Sequence, residues 1–536
     1  MLRYALIVLV AFTSLTVVMM PCFPEEATRR PPKLQDLLGK PSSVKIPMSD
    51  GEELAADIYL PAAEGKFPAI LVITPYGKFR MGSICAPVNS REYAVVMVDR
   101  RGFYASRGAK TNRRAKDGYS CVEWIAVQSW SNGRVGMWGG SALGHVQFET
   151  AVTRPPHLVC IVPSVAPFGY DYENNFLGGV FRREYYDSLL KLGFKGFEYI
   201  LDHPLRDAFW NILAGGLKAS DVAVPVLIIE GWYDLYPTGV FKSWRKLVDE
   251  SDPSVRDCHR MLIGPWVHSG VDEASAGALS FTAAEGAAAA ATKAFFDHHL
   301  LGGAKTPSPL PRVRLYDCGS LRWEDQPEWP IKATKEQMLF FGPDRSLSSA
   351  AAETGTVEFT HDPTSPVPTV GGGVLDYSML RGPQDLRQKV ESREDVVIFT
   401  TESVVQPMHM AGSIFAEIVL EVEGEDADII LRLTDVMPDG RSIIISEGAR
   451  RVGITDDFRA LRPLKPGEPY KLKIEMFPLL QTVEIGHRIR LVVSGSNSPR
   501  FEVRKNPAKV RIHCGGESGS SLRLTLREST KPAPKQ

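Results

Sequence analysis

Apolar runs of strand length recur along the first half of the chain, at residues 67–74, 93–98, 135–138, 158–162, 226–230 and 261–263. Runs rich in Val, Ile and Leu without polar alternation suit strands buried on both faces, the signature of a parallel sheet covered by helices. Within residues 117–130, Val122, Trp124-Ile125 and Val127-Gln128 fit one face of a helix, and Asn132-Gly133 turns the chain into the next strand. Two β-like segments, 43–47 and 53–60, flank the turn Ser49-Asp50-Gly51. Alternating strand and helix predict a doubly wound α/β sheet. The pattern then changes to amphipathic helix at 181–192 and 197–213, broken at Pro204, and an alanine-rich helix at 287–300 runs out at Gly302-Gly303. From Val313 onward, short alternating strands are separated by turns such as Gly342-Pro343-Asp344, Met437-Pro438-Asp439-Gly440 and Lys465-Pro466-Gly467, the texture of a β-sandwich or jelly roll. The expected layout is an α/β domain from 41–163 and 223–312, a helical cap at 164–222, and an all-β jelly-roll domain at 313–528.

At 536 residues the chain exceeds one ordinary core, in keeping with that division. A charged fraction of 23% and a net charge of -1, with no basic run interleaved with aromatics, exclude a nucleic-acid partner. Met1-Leu2-Arg3 followed by the apolar run 4–20 reads as a signal peptide or N-terminal anchor at 1–22. Export to a periplasmic or secreted location is therefore expected, with membrane contact only through that segment. No small-x-small cleavage site stands out, and Cys22 follows Pro21, so the mode of release stays open. Residues 21–40 read as a linker and 529–536 as a disordered tail. Cys22, Cys85, Cys121, Cys160, Cys258, Cys318 and Cys514 form no Cys-x-x-Cys pair, which excludes a zinc or redox motif and a dense disulfide framework. Buried free thiols such as Cys160, or one or two bridges, remain.

The chemistry concentrates first in Val135-Gly136-Met137-Trp138-Gly139-Gly140-Ser141-Ala142-Leu143-Gly144, a strand running through glycines and a serine into a helix. Small residues let such a corner close and present the serine at its tip, as in the nucleophile elbow of an α/β-hydrolase, although Leu143 fills the usual second glycine position. Two later strands end on Gly231-Trp232-Tyr233-Asp234 and on Gly264-Pro265-Trp266-Val267-His268. Strand ends of a parallel sheet share one rim, so Ser141, Asp234 and His268 arrive together, in the order that this topology imposes. A serine hydroxyl needs a base to attack a carbonyl. His268 would take its proton, and Asp234 would hold the imidazole in the useful tautomer and stabilise its cation. No cofactor and no metal enter this chemistry; His298 and His299 read as structural, favoured by the dipole at a helix C-terminus.

Further motifs are Met48-Ser49-Asp50-Gly51, Ala55-Ala56-Asp57-Ile58-Tyr59-Leu60-Pro61, Thr74-Pro75-Tyr76, Asp99-Arg100-Arg101-Gly102, Val122-Glu123-Trp124-Ile125 and Phe295-Phe296-Asp297. With the triad segments, they make the chain resemble the cocaine esterase-like and X-prolyl dipeptidyl peptidase family of α/β-hydrolases. The later segments Leu433-Thr434-Asp435-Val436 and Gly486-His487-Arg488 resemble its C-terminal domain, where His409, His487 and His513 would serve folding. The resemblance implies an oxyanion hole from the Tyr76 hydroxyl and the Ala142 backbone N–H, and a cap over the active site. In the cap, Phe168, Tyr170, Tyr172, Phe176, Phe181, Tyr185 and Tyr186 would line an acyl pocket or pack the cap's own core. The cap looks short for the family, which would leave the entrance more open.

Three departures bear on function. Ala142 replaces a usual tyrosine, Ser120 a frequent aspartate, and Tyr236 and Pro237 stand where the amino-ester hydrolase branch carries acids for a substrate amine. The expected activity is a serine hydrolase working on a small-molecule ester or amide through an acyl-enzyme, foremost a carboxylesterase. The enzymatic alternative is an X-Pro dipeptidyl-peptidase or acylase; an inactive exported binding protein is the alternative of another class.

Overall fold

The computed structural model describes residues 36, 38–81, 91–109, 114–214, 216–302, 307–331 and 334–528. The expected leader, Cys22, Cys85 and the tail 529–536 lie outside the described residues.

The apolar runs assemble into one ten-stranded sheet in the order Ser42–Pro47, Glu53–Tyr59, Ala94–Asp99, Phe67–Thr74, Ser131–Gly140, Leu158–Ser164, Leu227–Gly231, Arg260–Gly264, Val313–Asp317, Arg322–Gln326. From Ala94–Asp99 to Val313–Asp317 neighbouring strands are parallel, and the outer pairings are antiparallel. Every residue of Ala94–Asp99 and of Leu227–Gly231 is buried, as uninterrupted apolar strands require. The expected domain boundary at Val313 needs correction, because Val313–Asp317 and Arg322–Gln326 extend this sheet. Their alternation looked like sandwich texture, yet it equally suits strands at a sheet edge, where one face is less covered. The helix expected at 117–130 is Arg114–Ala126; Val127 is 75% exposed and belongs to the turn that follows.

The cap is built of short pieces: helices Arg183–Lys191 and Ala208–Leu213, with a 3-10 turn at Glu198–Asp202 where a longer helix was expected. Tyr172, Phe176, Phe181, Tyr186, Ile200 and Trp210 form its own core, so the first four, all members of the expected aromatic set, pack the cap. Phe168 packs edge-on against Phe148, at 5.1 Å between ring centres.

The C-terminal part is all-β. Thr334–Phe341, Ser521–Arg527, Met408–Glu423, Ala508–Cys514 and Gly355–His361 follow one another in one sheet, and Val396–Thr400, Arg488–Ser494, Asp428–Val436 and Ser442–Arg451 form the other. Both sheets feed one apolar core, which includes Phe341, Val510 and Ile418 from the first and Phe399, Leu431 and Leu491 from the second. His487 pairs with Asp435 at 2.7 Å and His513 with Glu421 at 2.9 Å, while His409 meets the Thr482 hydroxyl at 2.9 Å. Arg527, bound to Asp317 at 2.9 Å and to Glu324 at 2.8 Å, ties this domain to the edge of the α/β sheet.

Cys121, Cys160, Cys258, Cys318 and Cys514 are free thiols, and Cys160 is fully buried. Among the described residues no helix is long and apolar enough to cross a membrane.

Candidate active site

Ser141 occupies the corner between strand Ser131–Gly140 and helix Ala142–Ala151 with φ 56 and ψ -122, a conformation an L-residue adopts only when its surroundings enforce it. The enforcement is visible. A Cβ on Gly139 would come within 2.5 Å of the Leu143 Cβ, and one on Gly144 within 2.6 Å of the Ala166 Cβ, so the helix sits closer than any larger residue allows. The Ser141 N–H donates to the Ser164 carbonyl at 2.9 Å. Buried Gln147 clamps the corner: its amide donates to the Gly139 carbonyl at 2.9 Å, and its carbonyl accepts from the Val162 N–H at 2.9 Å.

The other two groups come from neighbouring strand ends. The loops after Leu227–Gly231 and Arg260–Gly264 are laced by Trp232 N–H to Gly264 O at 2.9 Å and Tyr233 N–H to Trp266 O at 3.1 Å. A Cβ on Gly231 would lie 2.1 Å from the Trp266 carbonyl, so this close approach requires glycine. The result brings the three predicted residues together. His268 Nε2 lies 3.0 Å from Ser141 Oγ, and His268 Nδ1 lies 2.7 Å from Asp234 Oδ1. Asp234 is fully buried and held below the ordinary carboxylate value: burial acts to raise it, but the His268 charge and hydrogen bond outweigh that effect.

Tyr76 is placed with them. Its hydroxyl shares a hydrogen bond with Ser141, and burial, the largest influence, pushes the phenol up to about 12, so it stays a neutral donor. Its backbone is fixed by Tyr76 N–H to Thr74 Oγ1 at 3.0 Å, and the next turn by Lys78 N–H to Asp99 Oδ1 at 2.7 Å. Ala142 begins the helix, where first-turn N–H groups have no intrahelical acceptor and point at an anion.

Aromatic edges surround the serine. From Tyr76 the contacts run to Phe194 at 6.1 Å, Phe194 to Phe197 at 6.3 Å and Phe197 to Tyr170 at 6.2 Å. They continue from Tyr170 to His145 at 6.0 Å, His145 to Tyr236 at 6.2 Å and Tyr236 to His268 at 5.7 Å. Tyr236 is locked by its hydroxyl bond to the Tyr185 hydroxyl at 2.6 Å, with Arg182 over both rings. Tyr170 and Tyr185 are thus the members of the expected aromatic set that reach the site. A cavity of about 410 Å³ lies between cap and sandwich, lined by Tyr236, Arg182, Arg450 and Lys473, but Ser141, Asp234 and His268 are not among its lining residues.

Sequence reasoning missed His145, Phe194, Phe197, Gln147 and Glu230. Glu230 carried a signal, an acid closing an apolar strand; it is fully buried. His299 is structural for a different reason than the dipole. Burial brings it down to about 4, so it is neutral, with its ring 4.4 Å from Phe295. Among the described residues no group of three or more His, Cys, Asp or Glu side chains could hold a metal ion.

Residues 50–196 and 190–270 match the model of the X-Pro dipeptidyl-peptidase (S15 family), and residues 306–523 match the X-Pro dipeptidyl-peptidase C-terminal non-catalytic domain. A cocaine esterase of Rhodococcus sp. (strain MB1 Bresler) is 29% identical over 569 residues, spanning 90% of this chain and 98% of that protein. Among solved structures, an aminopeptidase from the marine sediment archaeon Thaumarchaeota archaeon superposes with a TM-score of 0.81 at 24% identity, covering 95% of this chain and 99% of that one. An α-amino acid ester hydrolase also gives a TM-score of 0.81, at 23% identity, covering 91% and 96% of the two chains.

Proposed function

The chain belongs to the cocaine esterase-like and X-prolyl dipeptidyl peptidase family of α/β-hydrolases, and from that premise we propose that it is a carboxylesterase, a serine hydrolase working through an acyl-enzyme. Ser141 Oγ attacks the ester carbonyl as His268 Nε2 takes its proton. The oxyanion that forms is met by the Tyr76 hydroxyl and the Ala142 N–H. Collapse expels the alcohol, which receives its proton from His268, and water then repeats the sequence on the acyl-enzyme. Asp234 stabilises the imidazolium at each step.

The observation that carries the choice of substrate is the wall beside the triad. Two and three residues after Asp234 stand Tyr236 and Pro237, and Tyr236 faces His268 with its hydroxyl committed to Tyr185. That wall offers an apolar, aromatic surface to an acyl group and places no carboxylate there for an α-amine. The acyl group preferred is therefore uncharged and apolar. The test is a panel of p-nitrophenyl esters of increasing acyl length, amino-acyl esters and an X-Pro p-nitroanilide, run on wild type and Ser141→Ala. Ester turnover lost in the variant supports the reading; release from the X-Pro substrate would move it to a dipeptidyl-peptidase. The N-terminal pattern of one basic residue and an apolar run supports export as well, and fractionation of cells expressing the full chain tests that.

A further inference from the structure

We propose that Glu230 is a positioning residue of the triad: it keeps its proton and donates a hydrogen bond to Asp234 Oδ2, the carboxylate oxygen turned away from His268. The inference rests on the triad reading above and adds a fourth side chain to it.

Glu230 is the penultimate residue of strand Leu227–Gly231, four residues before Asp234, and both side chains are fully buried. Each of the other oxygens is accounted for. Asp234 Oδ1 binds His268 Nδ1 at 2.7 Å, and Glu230 Oε1 accepts from the Gly231 N–H at 3.0 Å. Glu230 Oε2 and Asp234 Oδ2 remain, buried and without a hydrogen-bond partner of ordinary geometry, although the Leu235 N–H also bears on the Asp234 carboxylate. The two carboxyl groups act on one another at close range, which leaves these two oxygens as each other's available partners. Two carboxylates cannot both be ionised at such a contact in a dry interior, whereas one shared proton satisfies both oxygens.

The division of that proton follows from the surroundings. Burial first, and then the negative Asp234, push Glu230 well above the usual carboxylate range. Asp234 has the imidazole opposite it and stays the anion. Asp234 is the one charged side chain that bears on Glu230, the remaining influences being burial and the Gly231 amide. From the strands packed against it, Ile263 of Arg260–Gly264 pairs with Glu230 itself and Ser164 of Leu158–Ser164 pairs with the preceding Ile229, so neither brings a charge beside it. The sign is fixed accordingly. A carboxyl raised in the folded state costs stability as pH climbs above the ordinary value, because the unfolded chain releases the proton that the folded one must keep.

Glu230→Gln keeps a donor for Asp234 and an acceptor for the Gly231 N–H but cannot ionise. Glu230→Leu removes the donor. We expect Glu230→Gln to keep kcat within about threefold and to be more stable than wild type at alkaline pH, with Glu230→Leu losing about tenfold or more in kcat at little changed KM, as misorientation of a catalytic group does. The alkaline limb of wild-type kcat should flatten in Glu230→Gln. Infrared spectra of the intact enzyme should show a protonated-carboxyl band that Glu230→Gln abolishes. Folded Glu230→Leu with wild-type kcat and pH profile overturns the proposal, as does Glu230→Gln falling as far as Glu230→Leu. Labelling of every variant by a fluorophosphonate at Ser141 separates the two readings: a wild type that fails to label sinks the triad, whereas labelled variants that behave alike sink only the role of Glu230.

Discussion

Replacing Tyr76 by Phe deletes one oxygen and leaves the rest of the site in place. The ring keeps its edge contact with Phe194 at 6.1 Å, and the backbone keeps its bond to Thr74 Oγ1 at 3.0 Å. Ser141 loses one partner but retains His268 at 3.0 Å, so the nucleophile is still activated. What disappears is one of two donors aimed at a charge that exists only in the transition state. Removing such a donor costs about 2.7–4 kcal/mol, or roughly 100- to 1,000-fold in kcat. Since the neutral ester carbonyl needs that donor far less, KM should change by less than about threefold. The Ala142 N–H sustains the residual rate. The assay is steady-state hydrolysis of a p-nitrophenyl ester across pH, with thermal unfolding as a control for the fold. Because burial holds the phenol at about 12, wild type and variant should share the same pH profile below about pH 10. A fall in kcat smaller than about tenfold, or a loss borne by KM instead, refutes the assignment of Tyr76 to the oxyanion hole.

Ser141→Ala should abolish turnover above a residual owed to binding and the oxyanion hole, and should block fluorophosphonate labelling, read by gel fluorescence. Gly373→Ala places a Cβ 2.3 Å from the Asp234 carbonyl oxygen, so kcat should fall with a lowered melting temperature, about 1–3 kcal/mol of overpacking by denaturant titration. His259 is buried, with burial bringing it down to about 3, and it holds the Val226 N–H at 3.2 Å and the Ser251 hydroxyl at 2.9 Å. Its contribution is complete above about pH 6.5 and is lost as pH falls toward 3; up to roughly 4–5 kcal/mol of stability should drain over that window, and His259→Asn should flatten it in urea unfolding followed against pH. Breaking the buried pair of Arg101 with Asp117, bonded at 2.8 Å through Nε, by Arg101→Met should cost about 3–5 kcal/mol, measured the same way.

The triad was legible because three separate patterns fell at strand ends of one parallel sheet, and topology then delivers them to one rim. Leu143 made the elbow look irregular, yet the structure needs Gly139 and Gly144, the positions where a Cβ would strike a neighbour at 2.5 and 2.6 Å. Long-range partners left no local mark. The aromatic edges running from Tyr76 to His268 join six separate segments, and no periodicity announces that Phe194 would meet Tyr76 while Tyr172 turns into the cap core. The edge strands beyond Val313 were misassigned because alternation reports one-sided exposure and cannot say which sheet owns a strand. Glu230 was visible as an acid in an apolar run, but its meaning depends on the burial of Asp234 four residues on.

The C-terminal region matches a domain described as non-catalytic, yet its loops reach the catalytic machinery. The Gly373 N–H donates to Glu447 Oε1 at 2.8 Å, and this turn lies directly against the Asp234 carbonyl. Arg381 donates to the Ser269 hydroxyl, beside His268, and its guanidinium sits 5.0 Å over the Tyr377 ring. Glu184 of the cap accepts from the Leu375 and Asp376 N–H groups at 3.0 and 2.6 Å, fastening the cap to the same loop. The acid loop, the histidine loop and the cap therefore share one support, which comes from the β-sandwich. A catalytic serine can be presented by its own elbow, but the distances of 3.0 and 2.7 Å along the triad depend on loops that this support braces from outside the α/β sheet. The sandwich is in this sense part of the active site without contributing a reacting atom, and an α/β domain expressed without it would keep its nucleophile and lose the alignment of its base.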